Sequence, residues 1–206
     1  MNMAEIYPLT EEQVDKLRTI FTEGMQHVNK SLSEMVKRRI SLVLAQVKLL
    51  PIEEVPTLVG EKKILINGVY LHFSGVLTGS VLLYFPQESA LLLSDLLFER
   101  KLGETTKIHD LEQSALKEVG NIFTNAYVDI LAKIIGMKIL PSVPYFVRDM
   151  LGAVVEDIIV NYAQASVYVL LVDTNFELPG TIVKGHFLLF SPPETLELLL
   201  KRLARS

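Results

Sequence analysis

The chain has 206 residues, of which 50% are hydrophobic and 21% charged, and its formal net charge is −4. This composition is typical of a folded globular protein and excludes a disordered chain. The slightly acidic balance gives no field that would attract nucleic acid, and the absence of cysteine excludes disulfides, thiol catalysis and cysteine metal sites.

The first half of the chain predicts a helix, three strands and a second helix. Thr10 and Gln13 form a capping-box pattern at the start of a helix that reaches about Lys37. Three apolar or alternating segments then predict strands, at residues 40–50, 64–73 and 81–85. In the second of these, the Asn-Gly pair at 67–68 suggests a turn or bulge. Pro86 begins a leucine-rich helix, because proline suits the first helical turn.

The second half predicts a similar order of elements. Asp110 is a suitable cap for a long helix, and Gly136 is well placed to end it. Three strands are predicted after this helix, at residues 138–143, 165–173 and 181–190, and a final helix begins near Pro193. A further helix, which Asp149 could cap, has no counterpart in the first half.

Two short internal matches indicate that the chain is a duplication. The segment Gly79–Glu88 shares its glycine, paired leucines, proline and glutamate with Gly185–Glu194, at a spacing of 106 residues. The tripeptide Ile20–Thr22 recurs as Ile122–Thr124, at a spacing of 102 residues. We therefore expect a single domain made of two repeats, which cover about residues 8–104 and 105–206.

The predicted fold class is α+β. Each repeat contributes a helix, three strands and a helix, and two such units can share one central sheet with pseudo-twofold symmetry. We expect the sheet to be mostly antiparallel and the two long helices to lie on one face.

No segment of the sequence predicts a membrane span or a secreted protein. Charged residues interrupt every apolar stretch long enough to cross a bilayer, which takes about 18 residues. The first residues lack the basic start and apolar run of a signal peptide. The histidines are scattered without the spacing of metal ligands: His27, His72, His109 and His186. We therefore expect a cytoplasmic protein without a metal or cofactor of its own.

The helix predicted from Asp110 carries a polar stripe that is separate from its apolar stripe. The polar residues recur at intervals of three or four, at Asp110, Ser114, Glu118, Asn121, Asn125 and Asp129. Glu118 and Asn121 therefore point the same way, one turn apart. Asparagine and serine are poor helix formers, so helix stability alone would not favour them. An exposed helix face tolerates such residues, however, and periodicity alone leaves a purely structural role open.

The spacing of four residues resembles the motif of the CheC, CheX and FliY phosphatases. Ser114, Glu118 and Asn121 follow one another at the motif's intervals, and Pro144 comes after 22 intervening residues. The string LKEVGNI at 116–122 is also similar to the helix of CheC proteins. The resemblance covers essentially the whole chain.

The resemblance implies a phosphatase that hydrolyses the aspartyl phosphate of a CheY-like response regulator. The regulator brings a Mg²⁺ ion and a lysine, so this chain would need no cofactor of its own. Asn121 would position the attacking water, and Glu118 would form a salt bridge with the regulator's lysine. Ser114, Asn125 and Pro144 would support this pair without taking part in the chemistry.

The first repeat departs from the motif. Glu12, Lys16, Thr19 and Leu42 stand at the corresponding positions, 102 residues earlier. The carboxamide is lost, and a lysine in place of glutamate would repel the regulator's lysine. We therefore expect one site, in the second repeat. Two alternatives are a non-enzymatic binding module, similar to the FliM middle domain, and an adaptor that binds the deamidase CheD near Asp149.

Overall fold

The computed structural model describes residues 9–37, 40–55, 63–75, 77–161, 168–178 and 181–204. The helices are α1 (Glu11–Val36), α2 (Gln87–Leu97), α3 (Asp110–Ile135), α4 (Leu151–Asn161) and α5 (Pro193–Leu203). The strands are β1 (Ser41–Pro51), β2 (Leu65–Gly75), β3 (Gly79–Pro86), β4 (Ile139–Pro141), β5 (Tyr145–Met150), β6 (Tyr168–Leu178) and β7 (Thr181–Ser191). Within these ranges, no helix has the length and apolar character needed to cross a membrane.

One antiparallel sheet of seven strands organises the fold. Its order is β1-β6-β7-β3-β2, and β4 and β5 follow one another along the outer edge of β2. The order is symmetric about the central β3–β7 pair. In that pair Leu82 lies opposite Leu188, which is its counterpart at the 106-residue spacing. The predicted α+β class and antiparallel sheet are confirmed, while the exact limits of the two repeats stay a prediction.

Different helices pack on the two faces of the sheet. The long helices α1 and α3 lie on one face, as predicted, together with α2 and α5. An aromatic cluster ties these helices to the sheet: Phe21 and Phe187 lie 5.1 and 4.0 Å from Tyr127 of α3, measured between ring centroids. The opposite face carries a second apolar cluster, in which α4 packs through Leu151 and Val155. Burial of both faces explains why the strands are so rich in apolar residues.

The helix ends follow the predicted caps closely. The Thr10 hydroxyl accepts a hydrogen bond from the backbone N–H of Gln13, and the Gln13 side chain accepts one in return from the backbone N–H of Thr10. Gly136 ends α3 in the left-handed conformation, with a φ of 71°. Asp110, however, is the first residue of α3, so the cap position belongs to His109. The predicted start of the strand at 165 lies outside the described residues.

The prediction of a turn or bulge at residues 67–68 is wrong. β2 pairs with β3 from Ile66 to Phe73 without a register shift. Gly68 is instead a point of close approach, because a Cβ there would lie 2.8 Å from the carbonyl oxygen of Leu83. The buried Asn67 donates from its carboxamide to the Gln87 side chain at 2.7 Å, which ties β2 to the start of α2.

The edge strand β5 was not among the predicted elements. It pairs with β2 from Met150 opposite Leu65 to Tyr145 opposite Tyr70. Asp149 lies in this strand, and its carboxylate accepts a hydrogen bond from the backbone N–H of Met150 at 2.7 Å. The helix predicted here is present as α4, but it begins two residues after Asp149, which is therefore not its cap residue.

A polar network fixes the start of α3. The Arg100 guanidinium donates to the carboxylate of Glu112 and to the hydroxyl of Thr105, at 2.8 Å each. The buried carboxylate of Asp95, near the end of α2, accepts from the backbone N–H groups of Gly103 and Thr105 at 2.7 Å each. The α2–α3 connection is thus tied to both helices, and it constrains where α3 begins.

The pH dependence of stability tests this network. The hydrogen bond from Arg100 is the main reason that the pKa of Glu112 lies below its ordinary value of 4.5. A lowered carboxyl pKa stabilises the fold above that value, and the contribution is lost as the pH falls through the folded-state pKa. We expect Glu112→Gln to lower the free energy of unfolding by about 1–3 kcal/mol near neutral pH.

Urea unfolding of wild type and Glu112→Gln, repeated from neutral pH down to about pH 3, measures this difference. The difference in the free energy of unfolding between the two proteins should become smaller as the pH falls below 4.5. Glu23→Gln is the control, because Glu23 is exposed on α1 and should have almost no effect. A gap for Glu112→Gln that kept its full size in acid would contradict the assignment.

Candidate functional site

Gly120 brings α3 close to the sheet. A Cβ at this position would overlap the side chain of Val69 on β2, so the helix can lie this near only with glycine there. The buried hydroxyl of Thr124 donates to the Gly120 carbonyl oxygen at 2.8 Å, one turn along the helix. The sheet-facing direction of α3 is therefore fixed, and the directions of the neighbouring side chains follow from a rotation of about 100° per residue.

The two proposed catalytic residues point away from the core. Measured from Gly120, Asn121 is turned by about 100° around the helix axis and Glu118 by about 160° in the same sense. Asn121 is accordingly half-buried and Glu118 exposed. On the opposite flank, Ile130 packs so closely on α1 that a Cβ on Gly24 would overlap it. Asn121 therefore faces the sheet edge formed by β4 and β5.

The functional groups of the pair are available to another molecule. Within the described ranges, no residue makes a hydrogen bond or ion pair with the Glu118 carboxylate. The Asn121 carboxamide oxygen accepts one long hydrogen bond, from the side-chain amide of Asn125 at 3.4 Å. The Ser114 hydroxyl lies on the same flank but donates to the Asp110 carbonyl oxygen at 2.7 Å, which holds it within its own helix.

The register of β5 places Pro144 alongside this flank. Phe146 pairs with Val69, the residue beneath Gly120, and it packs on the core under the long helices. The chain runs from the end of α3 into β4, so β5 is antiparallel to α3. Pro144 precedes Phe146 by two residues, a distance of about one helical turn toward the end of α3. This half-buried proline is therefore level with Asn125.

Two of the corresponding positions in the predicted first repeat, Lys16 and Leu42, take part in packing the fold. The Lys16 ammonium donates to the Leu203 carbonyl oxygen at 3.2 Å and forms an ion pair with Glu12 at 3.6 Å. Leu42 is buried in the core. Thr19 is exposed, but it carries neither a carboxamide nor a carboxylate. The structure thus gives Lys16 a structural role, that of holding the end of α5 against α1.

A histidine and an aspartate also meet on the opposite face of the sheet. Asp173 and His186 are cross-strand neighbours, and their side chains meet at 2.6 Å. The His186 ring stacks on the buried Tyr84, on the side that α4 covers. Within the described part of the chain, no group of three or more His, Asp and Glu side chains could hold a metal ion.

Comparison with known proteins assigns the family. The CheC-like family profile matches residues 111–148, from the first turn of α3 into β5. The CheY-P phosphatase CheC of Bacillus subtilis (strain 168) is 30% identical over 173 residues, which span 81% of each protein. The putative CheY-P phosphatase CheC1 of Halobacterium salinarum is 28% identical over 126 residues, which span 61% of this chain and 64% of that protein. The chain belongs to the CheC-like family.

Solved structures share the fold at low sequence identity. The crystal structure of Thermotoga maritima FliY superposes with a TM-score of 0.73 at 17% identity, and the match covers 96% of this chain and 98% of that one. The FliM middle domain of H. pylori gives 0.65 at 13% identity, and covers 94% and 99%. These similarities concern the architecture alone, and they confirm it over nearly the whole chain.

The contact between Gly120 and Val69 predicts a specific cost. Gly120→Ala should lower the free energy of unfolding by about 1–3 kcal/mol, because the added methyl group has no space. The gain of about 1 kcal/mol in helix propensity offsets only part of this cost. Val69→Ala removes the two γ-methyl groups but keeps the Cβ, which would lie 2.5 Å from the added methyl group, so the double variant should lose less than the sum of the two single losses without full relief. Chemical denaturation of wild type, the two single variants and the double variant measures their free energies of unfolding. If the two single losses added up to the loss of the double variant, the contact would be contradicted.

Proposed function

We propose that this chain is a phosphatase that accelerates hydrolysis of the aspartyl phosphate on a CheY-like response regulator. The observation that carries the proposal is a carboxylate and a carboxamide, on Glu118 and Asn121, that lie together on the outer side of a rigid helix without strong partners in the described residues. The proposal is supported by two relatives, which are named as a CheY-P phosphatase and a putative one.

Asn121 has the chemistry needed to orient a water molecule. Its side-chain oxygen accepts a hydrogen bond and its nitrogen donates one. The contact with Asn125, at 3.4 Å, is longer than an ordinary hydrogen bond, so a water can replace it at small cost. The water oxygen attacks phosphorus while the bond from phosphorus to the aspartyl oxygen breaks. The products are inorganic phosphate, a free aspartate on the regulator and the proton lost by the water.

Glu118 supplies recognition in this proposal. An exposed carboxylate contributes little in water, but it gains strength when docking of a partner excludes solvent around it. We assign it to a lysine beside the regulator's phosphorylation site. The magnesium ion belongs to the regulator and enters as part of the substrate, where it stabilises charge on the phosphoryl oxygens.

Ser114, Asn125 and Pro144 are assigned supporting roles. Asn125 contacts the Asn121 carboxamide through one long hydrogen bond, and Ser114 bonds to the Asp110 carbonyl oxygen in the first turns of α3. Pro144 lacks an N–H donor and has a fixed φ, so it sets the path of the chain into β5. Binding of CheD near Asp149 and a cytoplasmic location stay predictions.

The substitution Asn121→Ala tests the function. We expect it to abolish the stimulation of phosphate release from a phosphorylated CheY-like regulator in the presence of magnesium, because the water loses its orienting group. Glu118→Ala should chiefly raise the regulator concentration needed for half-maximal rate. Release of inorganic phosphate, measured against the regulator alone, gives both quantities.

The matched control is Thr19→Ala, at the corresponding exposed position of the first repeat. It should keep the wild-type rate. Full stimulation by Asn121→Ala would rule out the assigned role of this residue. A wild-type protein that accelerated no regulator would instead favour the non-enzymatic binding module.

A further inference from the structure

Arg148 is an exposed arginine on the edge strand β5. It pairs with Asn67 across the strands, and Asn67 lies two residues from Val69 on β2. Residues two apart on a strand share a face, so Arg148 is on the face that carries α3, as Phe146 is. It lies about one helical turn from Phe146, toward the start of α3.

A second cation lies on the facing flank of the helix. Lys117 precedes Asn121 by one turn and is turned by about 60° from Gly120, in the same sense as Asn121. It is half-buried, whereas Arg148 is exposed. Within the described residues, neither side chain has an ion-pair or hydrogen-bond partner. We call Lys117 and Arg148 the cationic flank.

The cationic flank differs from ordinary edge-strand charges in the side of the strand on which it lies. Charged residues on an edge strand also prevent pairing with other sheets, and that role would be served by a charge on either side of the strand. Arg148 is on the helix side, level with the turn of α3 that precedes Asn121. A phosphoryl group carries a charge of about −1.5 to −2 near neutral pH. The guanidinium group, with its fork of N–H donors, matches phosphate and carboxylate oxygens.

We propose that Arg148, assisted by Lys117, is a positioning residue that contacts the anionic surface around the phosphorylated aspartate of the regulator. This inference rests on the proposed phosphatase function. Glu118 then meets a cation of the partner and Arg148 an anion, on two sides of Asn121. Opposite charges on the two sides permit one docking orientation and oppose the reversed one.

The test separates docking from chemistry. Rates of phosphate release are measured against the concentration of the phosphorylated regulator for wild type, Arg148→Ala and Arg148→Lys. We expect Arg148→Ala to raise KM by about fivefold or more at low ionic strength, with kcat changed by less than about twofold. The difference in KM should shrink as salt is added, and Arg148→Lys should recover only part of the loss, because lysine keeps the charge but not the fork of donors.

Arg202→Ala is the matched control, since Arg202 is exposed at the end of α5, next to the residue that binds Lys16 of α1. It should leave KM unchanged. Thermal unfolding of Arg148→Ala should match wild type, because an exposed side chain without partners contributes little to stability.

Two results would overturn the inference. One is a KM of Arg148→Ala equal to that of wild type at every salt concentration, and the other is a loss confined to kcat. If Asn121→Ala is inactive while Arg148→Ala behaves as wild type, the inference fails and the phosphatase function stands. If wild type does not accelerate release at all, both fail together.

Discussion

The close contact of α3 with the sheet at Gly120 is the constraint on which the site depends. A side chain there would overlap Val69, so the contact sets both the height and the rotation of the helix. Because each residue turns the helix by about 100°, fixing one residue fixes the others. Glu118 and Asn121 are held outward by the same contact that buries Phe123 and Tyr127. The packing that stabilises α3 on the sheet therefore also sets the directions of Glu118 and Asn121.

The two long helices α1 and α3, which the internal matches predict to be equivalent, carry different side chains at corresponding positions. The strand order is symmetric, and Leu82 meets its counterpart Leu188 at the centre. The symmetry does not extend to the proposed site, because Lys16, at the position on α1 that corresponds to Glu118, binds the carbonyl group of Leu203 at the end of α5. A cation suits a helix C-terminus, because the last carbonyl groups have no partner within the helix. The lysine that departs from the resembled motif is thus favourable for packing the final helix.

Local signals and long-range contacts explain what the sequence could predict. The capping box at Thr10 and the glycine that ends α3 depend only on residues within one helical turn, so both can be predicted from the sequence. The polar stripe also follows from helical period alone. The strand β5 was not predicted, because it is short, charged and defined by pairing with β2. The turn predicted at Gly68 is wrong because close packing on Leu83 overrides the local Asn-Gly pattern. The contact of Gly120 could not be predicted, because its partner Val69 is about fifty residues away in sequence.

The proposed site lies on the outside of a helix, and the groups proposed for chemistry and for recognition belong to different elements. Asn121 belongs to α3, which the aromatic core and the Arg100 network hold rigidly. Arg148 belongs to β5, which is held by backbone pairing to β2 and does not rely on its exposed side chains. A substitution of Arg148 is therefore expected to leave the Asn121 carboxamide in place. In the proposed mechanism, the carboxamide that orients the water stands on a helix held by the core, and the groups proposed for recognition stand beside it on an edge strand.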